Sequence, residues 1–239
     1  MRCLCGIRPT GDLHIGHYFA VIEPGIRGAD VLIAEFHAPR VHTDQLLSVI
    51  NTLKRFKVQN IVRQCEIFDP RFYFRVLDIT GMGELARMTQ YRESKKPNAH
   101  LFCYPVLMAC DVAGYEEVIV GEDQRQHLNF ARDLLVRYNK IYGERIGIPA
   151  AKPEAGRVLS LTNPTKKMSK SEPAGCLFLN DAEDAVRKKI KRAVTTEVGR
   201  NNLLSLYRRL GGKDNPVQNV NLKEALTERI LGLMCTTLP

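Results

Sequence analysis

Several things are missing from this 239-residue sequence. No apolar run reaches the ~20 residues of a membrane-spanning helix, which excludes an integral helical membrane protein. The N-terminus lacks the apolar core of a signal peptide, so a cytoplasmic location is expected. Internal repeats and low-complexity segments are absent, which excludes solenoids and linker-like chains. No disulfide framework is legible: the seven cysteines (Cys3, Cys5, Cys65, Cys103, Cys110, Cys176 and Cys235) are odd in number and scattered. Most lie in apolar runs, so buried free thiols in a reducing compartment are expected. Cys3 and Cys5 make a poor metal pair, because on a strand both face one side with no second pair in sight, and no metal site is predicted from side chains alone.

What is present is ordinary for a globular protein, with 44% hydrophobic and 26% charged residues. The length suits one large domain plus a small one. Thirty-five basic residues against 26 acidic give a net charge of +9, which permits a polyanionic partner without naming one.

Along the chain, apolar runs alternate with helical periodicity. Cys3 to Ile7 reads as a buried strand, Arg8 to Gly11 as a turn, and a helix is expected from Leu13, broken near Pro24-Gly25 and Gly28. Val31 to Phe36 is a second strand. Thr43 is expected to cap a helix with Leu46, Leu47, Ile50 and Leu53 on one face. Gln59 to Phe68 is a third strand candidate, interrupted by Arg63, Gln64 and Glu66. Asp69-Pro70 opens a long helical stretch that Gly81 and Gly83 kink or divide. A helix over His100 to Val112 follows, then a strand from Glu117 to Val120. A helix to Tyr142 comes next, with Leu128, Ala131, Leu135, Tyr138 and Ile141 inward. Ile148 to Gly156 reads as a connection and Val158 to Leu161 as a last strand. After Pro173 come a short strand at Leu177 to Leu179 and a basic helix from Asp181 carrying Arg187, Lys188, Lys189, Lys191 and Arg192. Two more helices follow, the last capped by Asn221 with Glu224. The expected class is α/β: a Rossmann-like parallel sheet with helices on both faces over 1–173, plus a small helical domain over 174–239. Ligands of such sheets sit at the carboxyl ends of strands, where Gly6 to Gly11, His37, Gly121 to Gln124 and the lysine-rich loop all fall.

Two segments carry chemistry. Thr10-Gly11-Asp12-Leu13-His14-Ile15-Gly16-His17 joins a strand to a helix start, where free backbone N–H groups and the helix dipole favour a phosphate. Gly16 is expected to let a ligand approach the backbone. His14 and His17, three apart, project from one side of the first turn. Alone, the pair reads equally as a helix start with two surface histidines. Far downstream, Lys166-Lys167-Met168-Ser169-Lys170-Ser171 follows the turn Asn163-Pro164; alone, it reads as a solvated loop.

Together and in this order, the two segments resemble the HIGH and KMSKS signatures of class I aminoacyl-tRNA synthetases. Three inner stretches, Gly83 to Tyr91, Tyr104 to Asp111 and Gly121 to His127, resemble the tryptophanyl-tRNA synthetase family almost end to end. The resemblance implies ATP-dependent activation of L-tryptophan and its transfer to tRNA(Trp), with ATP and Mg²⁺ taking part. It implies catalytic roles for His14, His17, Lys167 and Lys170. It implies nucleotide contacts from Arg8, Thr10, Gly16, Gly121, Asp123, Val158, Met168 and Ser169. It implies an amino-acid pocket in which Asp111 accepts the indole N–H, Met108 packs on the ring, Tyr104 and Gln124 hold the α-ammonium, Gly6 lies under the indole, and His37, Val118 and Val120 line the walls. An acceptor for the indole is chemically apt, since indole N–H is a donor only. A homodimer is also implied, with the helix around Gly83 to Tyr91 as its expected seat.

Arg8 stands where many members carry glutamine, and Ala113-Gly114-Tyr115 is trimmed. Full members carry more C-terminal helices, which read the anticodon, so a reduced tRNA-side domain is expected. Two rivals stand beside this reading: a tyrosine-specific enzyme of the same class, and a truncated paralogue that binds ATP or RNA without charging tRNA. The basic helix reads as a tRNA contact or as a solvated face.

Overall fold

The computed structural model describes residues 2–153, 157–213 and 222–235. Two compact units emerge, each assembled from three stretches: 1–10, 20–46 and 58–154 in the first, and 11–19, 47–57 and 155–239 in the second.

The first unit is built on a parallel sheet of β1 (Cys3–Ile7), β2 (Asp30–Ile33), β3 (Asn60–Arg63), β4 (Glu117–Val120) and β5 (Ala150–Pro153), in the order β3-β2-β1-β4-β5. All four pairings are parallel. Val31, Leu32 and Ile33 are successive and all buried, so both faces of the sheet are covered there. Over one face, Leu4, Leu32 and Val118 join a core with the Ala99–Val112 and Arg125–Tyr142 helices, through residues such as Val106, Ala109, Leu128, Ala131 and Leu135. On the other, Gly25 lies so close to Val31 and Val58 that a Cβ there would stand 2.7–2.8 Å from their methyl groups.

β1 and β4 match the sequence expectation to the residue. β2 spans only Asp30–Ile33, because the chain turns from Glu35, whose N–H donates back to the Ile33 carbonyl while the Ala38 N–H donates to the Glu35 carbonyl. The expected long third strand ends at Arg63, and Gln64–Ile67 winds into a helical turn. The segment expected to be a plain connection contains β5, an exposed edge strand. Asp69 caps the Pro70–Asp78 helix as expected, accepting from the Arg71 N–H. The stretch beyond divides into the separate helices Met82–Ala86 and Thr89–Arg92. Leu47 and Ile141, expected inward, are exposed. Of the expected break at Pro24-Gly25 and Gly28, only the Gly28 part holds: helical winding runs from Ile15 through a π-wound stretch, Tyr18–Ile22, to Ile26, and the chain turns at Gly28, with φ of +94°.

In the second unit, helices Glu183–Lys191, Glu197–Arg209 and Leu222–Cys235 pack together through Val186, Ile190, Leu203, Leu206, Leu226 and Ile230. The expected strand at Val158 to Leu161 is a single antiparallel bridge, Leu159 to Lys167, and the one at Leu177 to Leu179 is a single bridge from Phe178 to His14. Asp181 does not cap the basic helix; it accepts from the Phe178 N–H and pairs with Lys189 at 2.6 Å. Asn221 of the expected capping box lies outside the described residues.

Only Cys5 and Cys176 of the seven free thiols are fully buried, fewer than expected, while Cys65 and Cys235 are exposed. Among the described residues no helix is long and apolar enough to cross a membrane.

Candidate active site

The second unit brings the two outer signatures together across 159 positions of sequence. The Leu13-His14-Ile15 backbone pairs with Leu177 to Leu179: the Ile15 N–H donates to the Leu177 carbonyl, and the Leu179 N–H to the Leu13 carbonyl. The lysine loop hangs from a hairpin whose Met168 N–H donates to the Val158 carbonyl. Asn202, on the Glu197–Arg209 helix, braces its base by bonding both the N–H and the carbonyl of Leu159. Lys170 Nζ then donates to the Gly11 carbonyl at 3.0 Å. Val158 and Met168 are buried within the hairpin, while Lys167 and Ser169 are exposed.

The histidines are set by the backbone. His14 caps the helix, its Nδ1 accepting from the Gly16 N–H at 3.0 Å, and His17 Nδ1 accepts from the His14 N–H at 3.1 Å. An N–H can only donate, so both Nδ1 atoms carry lone pairs and each neutral ring holds its proton on Nε2. The rings lie 3.9 Å apart. Burial, then the Lys170 and Lys167 charges, pull His14 down to about 4. Burial, then His14 and the same lysines, hold His17 well below the usual histidine range. The pair is thus two neutral N–H donors beside two lysines, a set suited to phosphate oxygens. Gly16 also leaves room for the His14 imidazole, which would stand 2.8 Å from a Cβ there.

A stability prediction follows. His14 titrates at its ordinary 6.5 when unfolded and at about 4 when folded. Between those values the unfolded chain binds the extra proton, so stability from this group is complete above 6.5 and drains away as pH falls through 4. Relative to His14→Asn, which keeps a capping oxygen but cannot titrate there, the protein should lose roughly 3 kcal/mol between pH 7 and pH 4. Urea unfolding of both proteins across that range measures it; parallel curves would contradict the assignment.

The other expected residues lie in the first unit: Gly6 within β1, Val118 and Val120 in β4, Arg8, Thr10, His37 and Gly121 to Gln124 beyond the carboxyl ends of β1, β2 and β4, and Tyr104, Met108 and Asp111 on the Ala99–Val112 helix. Gly6 is exposed in the central strand, and a Cβ there would meet nothing nearer than the Leu32 carbonyl at 4.0 Å, so the sheet has a bare spot at its middle. Asp111, near the end of the Ala99–Val112 helix, is 6% exposed. Its Oδ2 lies 2.7 Å from His37 Nε2, and its Oδ1 accepts from Gln64 Nε2 at 2.7 Å. His37 stacks on Tyr104 with ring centroids 4.1 Å apart, and Tyr104 on His127 at 5.3 Å. Burial raises the Tyr104 hydroxyl; Arg8 opposes this, while Asp111 and Asp123 add to it. His127 is pushed down, by burial first and then by His37, and bonds Gln124 Oε1 through Nδ1 at 3.1 Å. Met108 and Val118 belong to the buried core, Val120 is half-buried, and Arg8, Thr10 and Asp123 are exposed with Gly121 half-buried.

Sequence reasoning missed Gln64 and Asn202. Gln64 was visible only as a polar interruption at the end of an apolar run, and Asn202 had no signal. Of the basic helix, Arg187 pairs with Glu183 and Glu228, and Lys189 with Asp181. Lys188, Lys191 and Arg192 are exposed and form no ion pair among the described residues.

Comparison with known proteins places this geometry. The family model described as tRNA synthetases class I (W and Y) matches residues 1–213. Tryptophan–tRNA ligase of Wolinella succinogenes is 34% identical over 253 aligned positions, covering 90% of this chain and 77% of that protein. The crystal structure of tryptophanyl-tRNA synthetase from Mycoplasma pneumoniae superposes with a TM-score of 0.82 at 26% identity, covering 99% of this chain and 86% of that one. That of the Campylobacter jejuni enzyme, complexed with ADP and tryptophan, gives 0.78 at 26% identity, with 99% and 87% covered. With both signatures joined in one unit and this likeness running through nearly the whole chain, the protein belongs to the tryptophanyl-tRNA synthetase family of class I aminoacyl-tRNA ligases.

Proposed function

We propose that this chain joins L-tryptophan to ATP, forming tryptophanyl-adenylate and pyrophosphate, and then passes the tryptophanyl group to tRNA(Trp). The observation that carries the reading is the Lys170–Gly11 bond, which holds the lysine loop at the paired histidines. The tryptophan carboxylate attacks the α-phosphorus, and the bond to the pyrophosphate oxygen breaks. The nucleophile is already ionised, so no general base is required, and acceleration comes from alignment and charge stabilisation.

In this reading His14 and His17 donate Nε2–H to phosphate oxygens, and Lys167 and Lys170 neutralise the departing pyrophosphate. Arg8, Thr10, Gly121 and Asp123 meet the nucleotide, with Val158, Met168 and Ser169 supplying the hairpin that carries the lysines. Asp111 accepts the indole N–H, Tyr104 and Gln124 hold the α-ammonium, Met108, Val118, Val120 and His37 form the walls, and Gly6 the floor. The ADP and tryptophan of the Campylobacter jejuni complex support this choice of ligands. An Mg²⁺ in this reading would be held largely by the nucleotide's own phosphates, with few protein ligands, and would supply charge neutralisation there. The functional division is catalysis over 1–173 and tRNA-side helices over 174–239, where the exposed Lys188, Lys191 and Arg192 offer a face to RNA. A homodimer is part of the same reading.

Amino-acid-dependent ATP–pyrophosphate exchange tests it. Tryptophan should support exchange and tyrosine should not, and a tRNA(Trp) transcript should be charged. Exchange with tyrosine instead would select the sister specificity. Binding of ATP or RNA with no exchange would select the non-charging paralogue.

A further inference from the structure

We propose that Gln64 is a positioning residue that aims the Asp111 carboxylate and so sets which amino-acid side chains the chain accepts. The inference rests on reading Asp111 as the acceptor for the substrate's ring N–H. Gln64 is completely buried at the point where β3 gives way to the turn Gln64–Ile67. An uncharged amide so placed must bond at both ends. Its Oε1 accepts from the Phe36 N–H at 2.7 Å. That donor fixes which end of the amide is oxygen, so the NH₂ end necessarily faces Asp111 Oδ1, 2.7 Å away. The Phe36 carbonyl is itself tied to His100 Nε2 at 2.7 Å. The next residue, His37, engages the other carboxylate oxygen at 2.7 Å.

The loop after β2 therefore reaches Asp111 twice, through His37 directly and through the Phe36 backbone by way of Gln64. With one partner on each oxygen, the carboxylate cannot rotate, and its spare lone pairs point in fixed directions. A ring N–H arriving along one of them is matched, and a side chain without a donor leaves it unmatched. A floating carboxylate would swing to suit other ligands.

A purely structural Gln64, present only to satisfy the Phe36 N–H, makes a different prediction, and a cycle over protein and substrate separates the two. The substrates are tryptophan and β-(3-benzothienyl)alanine, in which sulfur replaces the ring N–H. Gln64→Met should lower kcat/KM for tryptophan about tenfold in pyrophosphate exchange and leave that for the analogue within twofold, with KM for ATP unchanged. Equal losses with both substrates would overturn the proposal and make Gln64 structural. If Gln64→Met does not fold, Gln64→Leu also removes the donor at a similar volume, and the same comparison applies. Asp111→Ala, which leaves no acceptor, provides the control. If it leaves the preference for tryptophan over the analogue intact, the reading of Asp111 fails. If it erases that preference while both Gln64 variants retain it, only the role of Gln64 fails.

Discussion

Asp111→Ala should lower kcat/KM for tryptophan in pyrophosphate exchange by roughly 10²–10³-fold and remove most discrimination against phenylalanine and tyrosine. The side chain is buried and bonded on both oxygens. Truncation deletes a hydrogen bond to an acceptor carboxylate, about 1.5–3 kcal/mol, and strands two buried donors that no longer hold a fixed geometry. Together these reach about 3–4 kcal/mol, which is the factor expected in rate. The loss should also appear in stability, since the Gln64 amide and the His37 ring lose their partner. Asp111→Asn keeps the volume and should fall between. Rates with tryptophan, tyrosine and phenylalanine that match the unaltered protein would eliminate Asp111 as the specificity group.

Lys170→Ala should reduce kcat for adenylate formation about 100-fold while KM for tryptophan changes less than threefold. The lysine is bonded to the Gly11 carbonyl, and its charge bears on both histidines. In the proposed reading it neutralises charge that develops on the departing pyrophosphate, so its loss should be felt in the rate and not in ground-state binding of the amino acid. The same charge helps depress His14. Its removal should therefore move the His14 titration upward, which NMR of the imidazole reads without any substrate. Equal losses in rate and tryptophan affinity would place Lys170 elsewhere in the mechanism.

The sheet was legible wherever apolar residues ran uninterrupted between turn residues, as at Cys3 to Ile7 and Glu117 to Val120. β5 was not, because Ala150 to Pro153 is an exposed edge and carries no hydrophobic signal; only its pairing with β4 makes it a strand. Val158 to Leu161 misled in the opposite way: its burial comes from the hairpin and the helices around it, not from ladder bonds. The two outer signatures could be paired on the page, yet nothing local could reveal that backbone N–H groups fix both imidazole tautomers. Gln64 was unreadable for a related reason. A buried polar residue is explained by its partners, and here those come from residues 28 and 47 positions away.

The strand order bears on synthesis of the chain. β1 occupies the centre of the sheet, but while β2 follows within thirty residues, its other neighbour, β4, begins only at Glu117. A nascent chain can pair β1 with β2 and β3 early, yet one edge of its most apolar strand stays open until more than a hundred residues have been translated. Such an edge is a template for stray pairing between chains. Ribosome stalling before β4 emerges should therefore yield sticky fragments, and the interval between the first strand and the fourth is where a holding chaperone has most to protect.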